Sequence, residues 1–161
     1  MVIEITQWGK DHWSTFAYLE TLAVDKQPIN FMKMRCNTSR HPLMDHGHDA
    51  RKYPTKLAGN EVQDDHDDWD CLHDMRQLNL IEVKGLPHDV LPVPLGSRGP
   101  LHLEKTRSKL TIGGYIWPGK VTVELTELGW QLAAQLRQHK GRGGSFATFK
   151  PDLQGVTMAI H

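Results

Sequence analysis

Residues 64–83, Asp-Asp-His-Asp-Asp-Trp-Asp-Cys-Leu-His-Asp-Met-Arg-Gln-Leu-Asn-Leu-Ile-Glu-Val, carry a helical hydrophobic period straight into a strand-favouring one. Trp69, Leu72 and Met75 recur at i, i+3, i+6, and Cys71, Met75 and Leu78 at i, i+4, i+7, which gives one broad apolar stripe. The aspartates at the amino end supply an N-cap acceptor and negative charge where the helix dipole favours it. Asp67, Asp70, Asp74 and Gln77 are expected on the opposite, solvated side. Asn79 accepts a left-handed backbone and suits the cap, after which Leu80, Ile81 and Val83 switch to a β pattern. A helix that must turn within a residue or two into a strand needs a partner strand and a second helix to cover it.

Val121–Lys140 answers that need. Val121 to Leu125 reads as a strand, and Thr126 can cap a helix whose buried row is Leu125, Leu128, Leu132 and Leu136, widened by Trp130 and Ala133. Glu127, Gln131, Gln135 and Gln138 form its solvated face, and Lys140-Gly-Arg-Gly-Gly-Ser145 ends it.

Upstream, Val2 to Ile5 suits a short strand, and Asp11 can cap a helix to about Val24, buried through Trp13, Phe16, Leu19 and Leu22. Gln27-Pro28 breaks that helix, and Ile29 to Arg35 is a further strand candidate. The polar stretch 36–63 offers only Pro42 to Arg51 as a helix, with Gly47 inside it. Four prolines and three glycines in 85–100 exclude a helix or a central strand and imply an extended excursion. Leu110-Thr-Ile, Gly113-Gly114, Tyr115-Ile-Trp117 is a hairpin signal.

At 161 residues the chain suits one domain with attachments: a unit over 1–140, interrupted by an insertion at 84–109, and a tail over 141–161. No apolar run has the length of a membrane span, and the amino end lacks a signal-peptide pattern. Cys36 and Cys71 make no disulfide framework, so a reducing cytoplasm is the expected location. Formal net charge is zero but unevenly laid out: residues 1–97 hold 10 Lys/Arg against 15 Asp/Glu, and residues 98–150 hold 9 against 3. Basic surface therefore belongs to the carboxyl half.

With Asn79-Leu80-Ile81 leading into one strand and Leu125-Thr126-Glu127-Leu128-Gly129 leading out of another, the chain from about Asp67 to Lys140 resembles the carboxyl-terminal half of winged helix-turn-helix proteins of the MarR/PadR type. In that family a helix ends in Gly-Leu-Ile or Gly-Leu-Val, a β-wing follows, and the returning strand ends in Leu-Thr-x-x-Gly. The resemblance implies an α+β, winged-helix-like domain with a long Pro/Gly-rich insertion in the wing, a role in transcription regulation by DNA binding, and a homodimer. On the helix that would read bases, an exposed Asp67, Asp70 and Asp74 would repel phosphates, so base reading in the family's manner is not expected from this pattern.

Three functional readings follow. The first is a nucleic-acid-binding regulator, for DNA or RNA, whose contacts come from Arg98, Lys105, Arg107, Lys109 and Lys120 around the hairpin, the aromatics Tyr115 and Trp117, and Arg137, Lys140 and Arg142 behind it. The second is a protein-interaction adaptor or inhibitor in which Asp67, Asp70 and Asp74 dock a basic partner, or mimic nucleic acid. The third is a metal-dependent enzyme with a pocket near His41–Asp49 and His66. Ten histidines are many for this length, and Cys36, His41, His46 and His48 have spacings that Zn²⁺ accepts, with Asp49, His66 or Asp67 as further ligands. A solvated His-rich loop is the plain alternative. No nucleophile elbow, phosphate-binding loop or dinucleotide fingerprint is present.

Overall fold

The computed structural model describes residues 2–30, 33–35, 54–63, 66–85, 103–106, 109–112, 115–116 and 120–154. Within these the architecture is α+β: three α-helices and small antiparallel sheets. Helix α1 (Lys10–Asp25) is the hub, packing against α2 (Asp68–Gln77), α3 (Glu127–Gly141), β1 (Thr55–Lys56) and β7 (Thr122–Leu125). β1 pairs with β2 (Val62–Gln63), and β3 (Ile81–Lys84) pairs with β7. β4 (Leu103–Thr106), β5 (Lys109–Ile112) and β6 (Tyr115–Ile116) form a separate meander. Among the described residues no helix is long and apolar enough to cross a membrane.

The β3–β7 pair is the join foreseen from the two strand-and-helix runs. Its register sets Ile81 opposite Leu125 and Val83 opposite Val123, so the apolar positions of both strands share the core face. Glu82, Glu124 and Lys84 occupy the outer face, with Lys84 Nζ 3.1 Å from Glu124. Asn79 is left-handed at φ 64°. The Leu80 N–H returns to the Met75 carbonyl (2.9 Å) and the Asn79 N–H to that of Arg76 (3.1 Å). This is the Schellman closure, sealed by apolar contact at Met75 and Leu80, both fully buried.

Thr126 caps α3, accepting the Gly129 N–H at 3.0 Å, while its hydroxyl donates to the Asn79 carbonyl at 2.6 Å. A Cβ on Gly129 would collide with the Leu80 carbonyl oxygen. Leu-Thr-x-x-Gly is therefore a packing device: the threonine ties α3 to the end of α2, and the glycine lets the two meet. Gly129→Ala should destabilise the protein by about 2 kcal/mol, because overpacking outweighs alanine's helix preference. Urea unfolding measures this; an unchanged midpoint would contradict the contact.

Several expectations need correction. Residues 2–4 form no strand: the Ile3 N–H is taken by the Asp74 carboxylate (3.2 Å), and Ile5–Gln7 is a 3₁₀ turn. The N-cap of α1 is Gly9. Asp11 lies inside the first turn, with its carboxylate accepting the Lys56 N–H at 2.8 Å, so a tertiary donor claims the acceptor expected to cap the helix. Where described, the stretch Ile29 to Arg35 has no strand; the Ile29 N–H makes one bond to the Val121 carbonyl (2.8 Å). Trp130 is 40% exposed and does not widen the α3 core row. Two residues on from Leu128 is about 200° around a helix, which puts Trp130 on the far face. β4 lies inside the stretch 84–109 read as an insertion and is compatible with that reading. The Pro42–Arg51 helix candidate lies outside the described residues.

After α3 the chain folds back. Phe149 is buried, edge-on to Trp13 (4.7 Å between ring centres) and beside His139 (5.3 Å). Gln135 and Asp152 exchange two hydrogen bonds, at 2.7 and 2.9 Å. The described part of the tail thus belongs to the core unit.

Candidate functional site

The first turn of α2 is a reciprocal cap. The Asp67 N–H donates to the Asp70 carboxylate (3.1 Å) and the Asp70 N–H to that of Asp67 (3.2 Å). Both residues are buried, as are Asp68 and Asp74. This overturns the expected solvated acidic face, and with it the docking surface assigned to Asp67, Asp70 and Asp74. Carboxylates enter a protein interior only with partners, and the chain supplies them from far along the sequence.

Asp68 receives a fork from Arg35, Nε at 3.0 Å and Nη2 at 3.2 Å, together with the Arg35 N–H (2.8 Å) and the Thr15 hydroxyl (3.1 Å). Arg35 also reaches Asp11. Thr15, Tyr18, Met34, Arg35 and Asp68 line a cleft of about 400 Å³ at this edge.

Asp74 sits deeper. One of its oxygens, Oδ2, lies 2.9 Å from His12 Nε2 and 2.9 Å from His66 Nε2, while Oδ1 accepts the Ile3 N–H. The His66 ring is steered by Thr55, whose Oγ1 is 2.9 Å from Nδ1 and whose hydroxyl donates to the His66 carbonyl. The His12 ring stacks on Trp8 (4.9 Å, 10° between planes), and the Trp8 indole donates to the Ile3 carbonyl. Cys71 Sγ lies 3.8 Å from His66 Nδ1. His12, His66 and Cys71 each offer one ligand atom, and the three atoms lie within 4.8 Å of one another.

Burial and hydrogen bonding together set the protonation of His12, Asp74 and Cys71. Burial holds His12 below the usual imidazole range, although the Asp74 hydrogen bond and charge pull the other way. Burial also opposes ionisation of Asp74, but the hydrogen bonds from His12 and His66, reinforced by their charge, hold its carboxyl below the ordinary value. The Cys71 thiol is pushed well up by burial first, and then by Asp68, Asp74 and Asp67.

The other sites expected from sequence are distributed differently. Cys36, His41, His46 and His48 lie outside the described residues, as do Arg98, Arg107 and Trp117. Lys105, Lys109 and Tyr115 fall on β4, β5 and β6, whose backbone alone is described. Lys120 and Arg142 are exposed. Arg137 pairs with buried Glu20 across α1 and α3, and Lys140 lies over the Phe146 ring at 4.2 Å, so both are partly engaged within the fold. With the acids turned inward, the outer side of α2 carries half-buried His73 and Arg76 and exposed Gln77. Burial lowers the affinity of His73 for its proton.

Sequence reading named His66 only as an accessory ligand and missed His12, Thr55 and Cys71. For His12 a signal existed: His12, Phe16 and Leu19 fall at i, i+4, i+7, so an imidazole occupies the buried stripe of α1. Comparison with protein-family models, curated proteins and solved structures finds no match for the chain.

Proposed function

We propose that the protein is a winged-helix nucleic-acid-binding regulator in which β3 and β7 form the stem of the wing, and residues between them, including Lys105, Arg107 and Lys109, contact phosphates. One observation carries this reading: α2 turns its carboxylates inward, so the negative charge that would repel nucleic acid is consumed inside the fold. Helix α2 leads into β3, and its residues His73, Arg76 and Gln77 can approach a groove without that repulsion. Arg98, Lys120 and Arg142 add positive charge, and Tyr115 and Trp117 can stack on bases. The family resemblance from Asn79-Leu80-Ile81 and Leu125-Thr126 supports the same reading, as does the α+β build. The adaptor reading loses its surface because Asp67, Asp70 and Asp74 are covered.

Fluorescence anisotropy with duplex DNA and single-stranded RNA tests it. Binding should weaken steeply with salt, each phosphate contact adding about −0.9 to the log–log slope on duplex DNA. Reversing Lys105, Arg107 and Lys109 to Glu should abolish binding, and Arg76→Glu should weaken it roughly tenfold. Affinity for neither polymer, or affinity indifferent to salt, contradicts the proposal.

A further inference from the structure

We propose that His12, His66, Cys71 and Asp74 bind one divalent cation of the zinc class, holding α1 to α2 from the inside. The site is independent of the nucleic-acid reading, and it is not the set expected from sequence at Cys36, His41, His46 and His48.

Proton counting supplies the first reason. The one hydroxyl proton of Thr55 goes to the His66 carbonyl, so the contact between Thr55 Oγ1 and His66 Nδ1 uses the imidazole N–H. With Nδ1–H so engaged, His66 Nε2 is the nitrogen that faces Asp74 Oδ2, 2.9 Å away. Nitrogen and carboxylate oxygen, both electron-rich, hold that separation only with a positive charge between or beside them: a second imidazole proton, or a metal. Fixing Nδ1–H on a neighbouring oxygen is also how proteins present Nε2 to a metal.

Charge and chemistry give the second. A thiolate and a carboxylate neutralise a divalent ion, and two neutral imidazoles complete four donors of the kinds that zinc accepts. All four residues are buried, so the ion would be closed off from solvent, as structural zinc is. One ligand atom from each of His12, His66 and Cys71 lies within 4.8 Å of the others, so closing the three side chains around an ion takes only a modest contraction. Binding would release the Cys71 thiol proton to solvent, and each imidazole would ligate as the neutral ring, its one proton on Nδ1.

The test uses the full chain. After dialysis against zinc and then against metal-free buffer, elemental analysis should find one zinc per chain. A chelator should lower Tm, and zinc in large excess over its Kd should restore it by roughly 10 °C, whereas magnesium should not. In Cys36→Ser protein, cobalt should give an intense near-ultraviolet thiolate-to-metal band, which only Cys71 can then supply. His41, His46 and His48 changed together to Gln should leave the zinc in place, whereas His66→Gln should lose it. No retained zinc and no zinc-dependent Tm overturns the proposal. So does zinc that leaves with the triple His variant, or a Cys36→Ser cobalt complex without the thiolate band; these two readouts do not depend on the His66 variant folding.

Discussion

Asp74→Ala should lower the unfolding free energy by about 4 kcal/mol, a large share of what a domain of this size has. The carboxylate collects the Ile3 N–H and both imidazoles, from positions 71, 62 and 8 residues away in the chain. Its removal leaves three buried polar groups without an acceptor, and each such loss costs roughly 1–3 kcal/mol. No methylene is lost, so the effect is one of hydrogen-bond satisfaction and not of apolar volume. Asp74→Asn, nearly isosteric, should recover only part of it, because an amide presents one acceptor where a carboxylate presents two. Urea unfolding of the three proteins reads this out; an Ala variant within about 0.5 kcal/mol of the parent, as expected for a solvated surface residue, would contradict the buried cluster.

Trp13→Ala should cost a similar amount, about 4 kcal/mol, for a different reason. The indole is fully buried and meets Trp8 (4.9 Å), Phe16 (5.9 Å) and Phe149 (4.7 Å) edge-on, so it joins the amino-terminal turn, α1 and the returning tail. Truncation leaves a cavity that three separate segments cannot jointly close, and cavity size sets the cost. Because Phe149 loses its platform, the tail should become sensitive to protease in this variant. Phe149→Ala added to it should cost much less than Phe149→Ala alone. Full additivity would mean that the tail does not rest on Trp13.

The parts of the fold that were legible in the sequence are those whose signals are local. Asn79 announced a left-handed cap, Thr126 an N-cap, and Leu80, Ile81 and Val83 and the run Val121–Leu125 two strands; each depends on neighbours within a few residues. Trp130 was misplaced although its spacing from Leu128 already puts it on the far side of α3. The fate of the α2 aspartates was not legible, for a physical reason. Periodicity shows that a helix has two faces, but not what covers the second. The groups that cover it, Ile3, His12, Thr15 and Arg35, come from three other segments, and each donor looks ordinary in its own setting. A histidine within the apolar stripe of α1 was the one hint that the interior would be polar, and it gains meaning only beside Asp74.

The account rests on α1 and α2 being joined through a buried carboxylate, and a double-mutant cycle on His12 and Asp74 examines that join directly. Urea unfolding of the parent, His12→Ala, Asp74→Ala and the double variant, with chelator present so that no metal contributes, gives their coupling. A coupling of about 1–3 kcal/mol is expected for neighbours in one buried network. Effects that add to within about 0.5 kcal/mol would mean that the two side chains do not meet, and the inward-facing α2 would have to be given up.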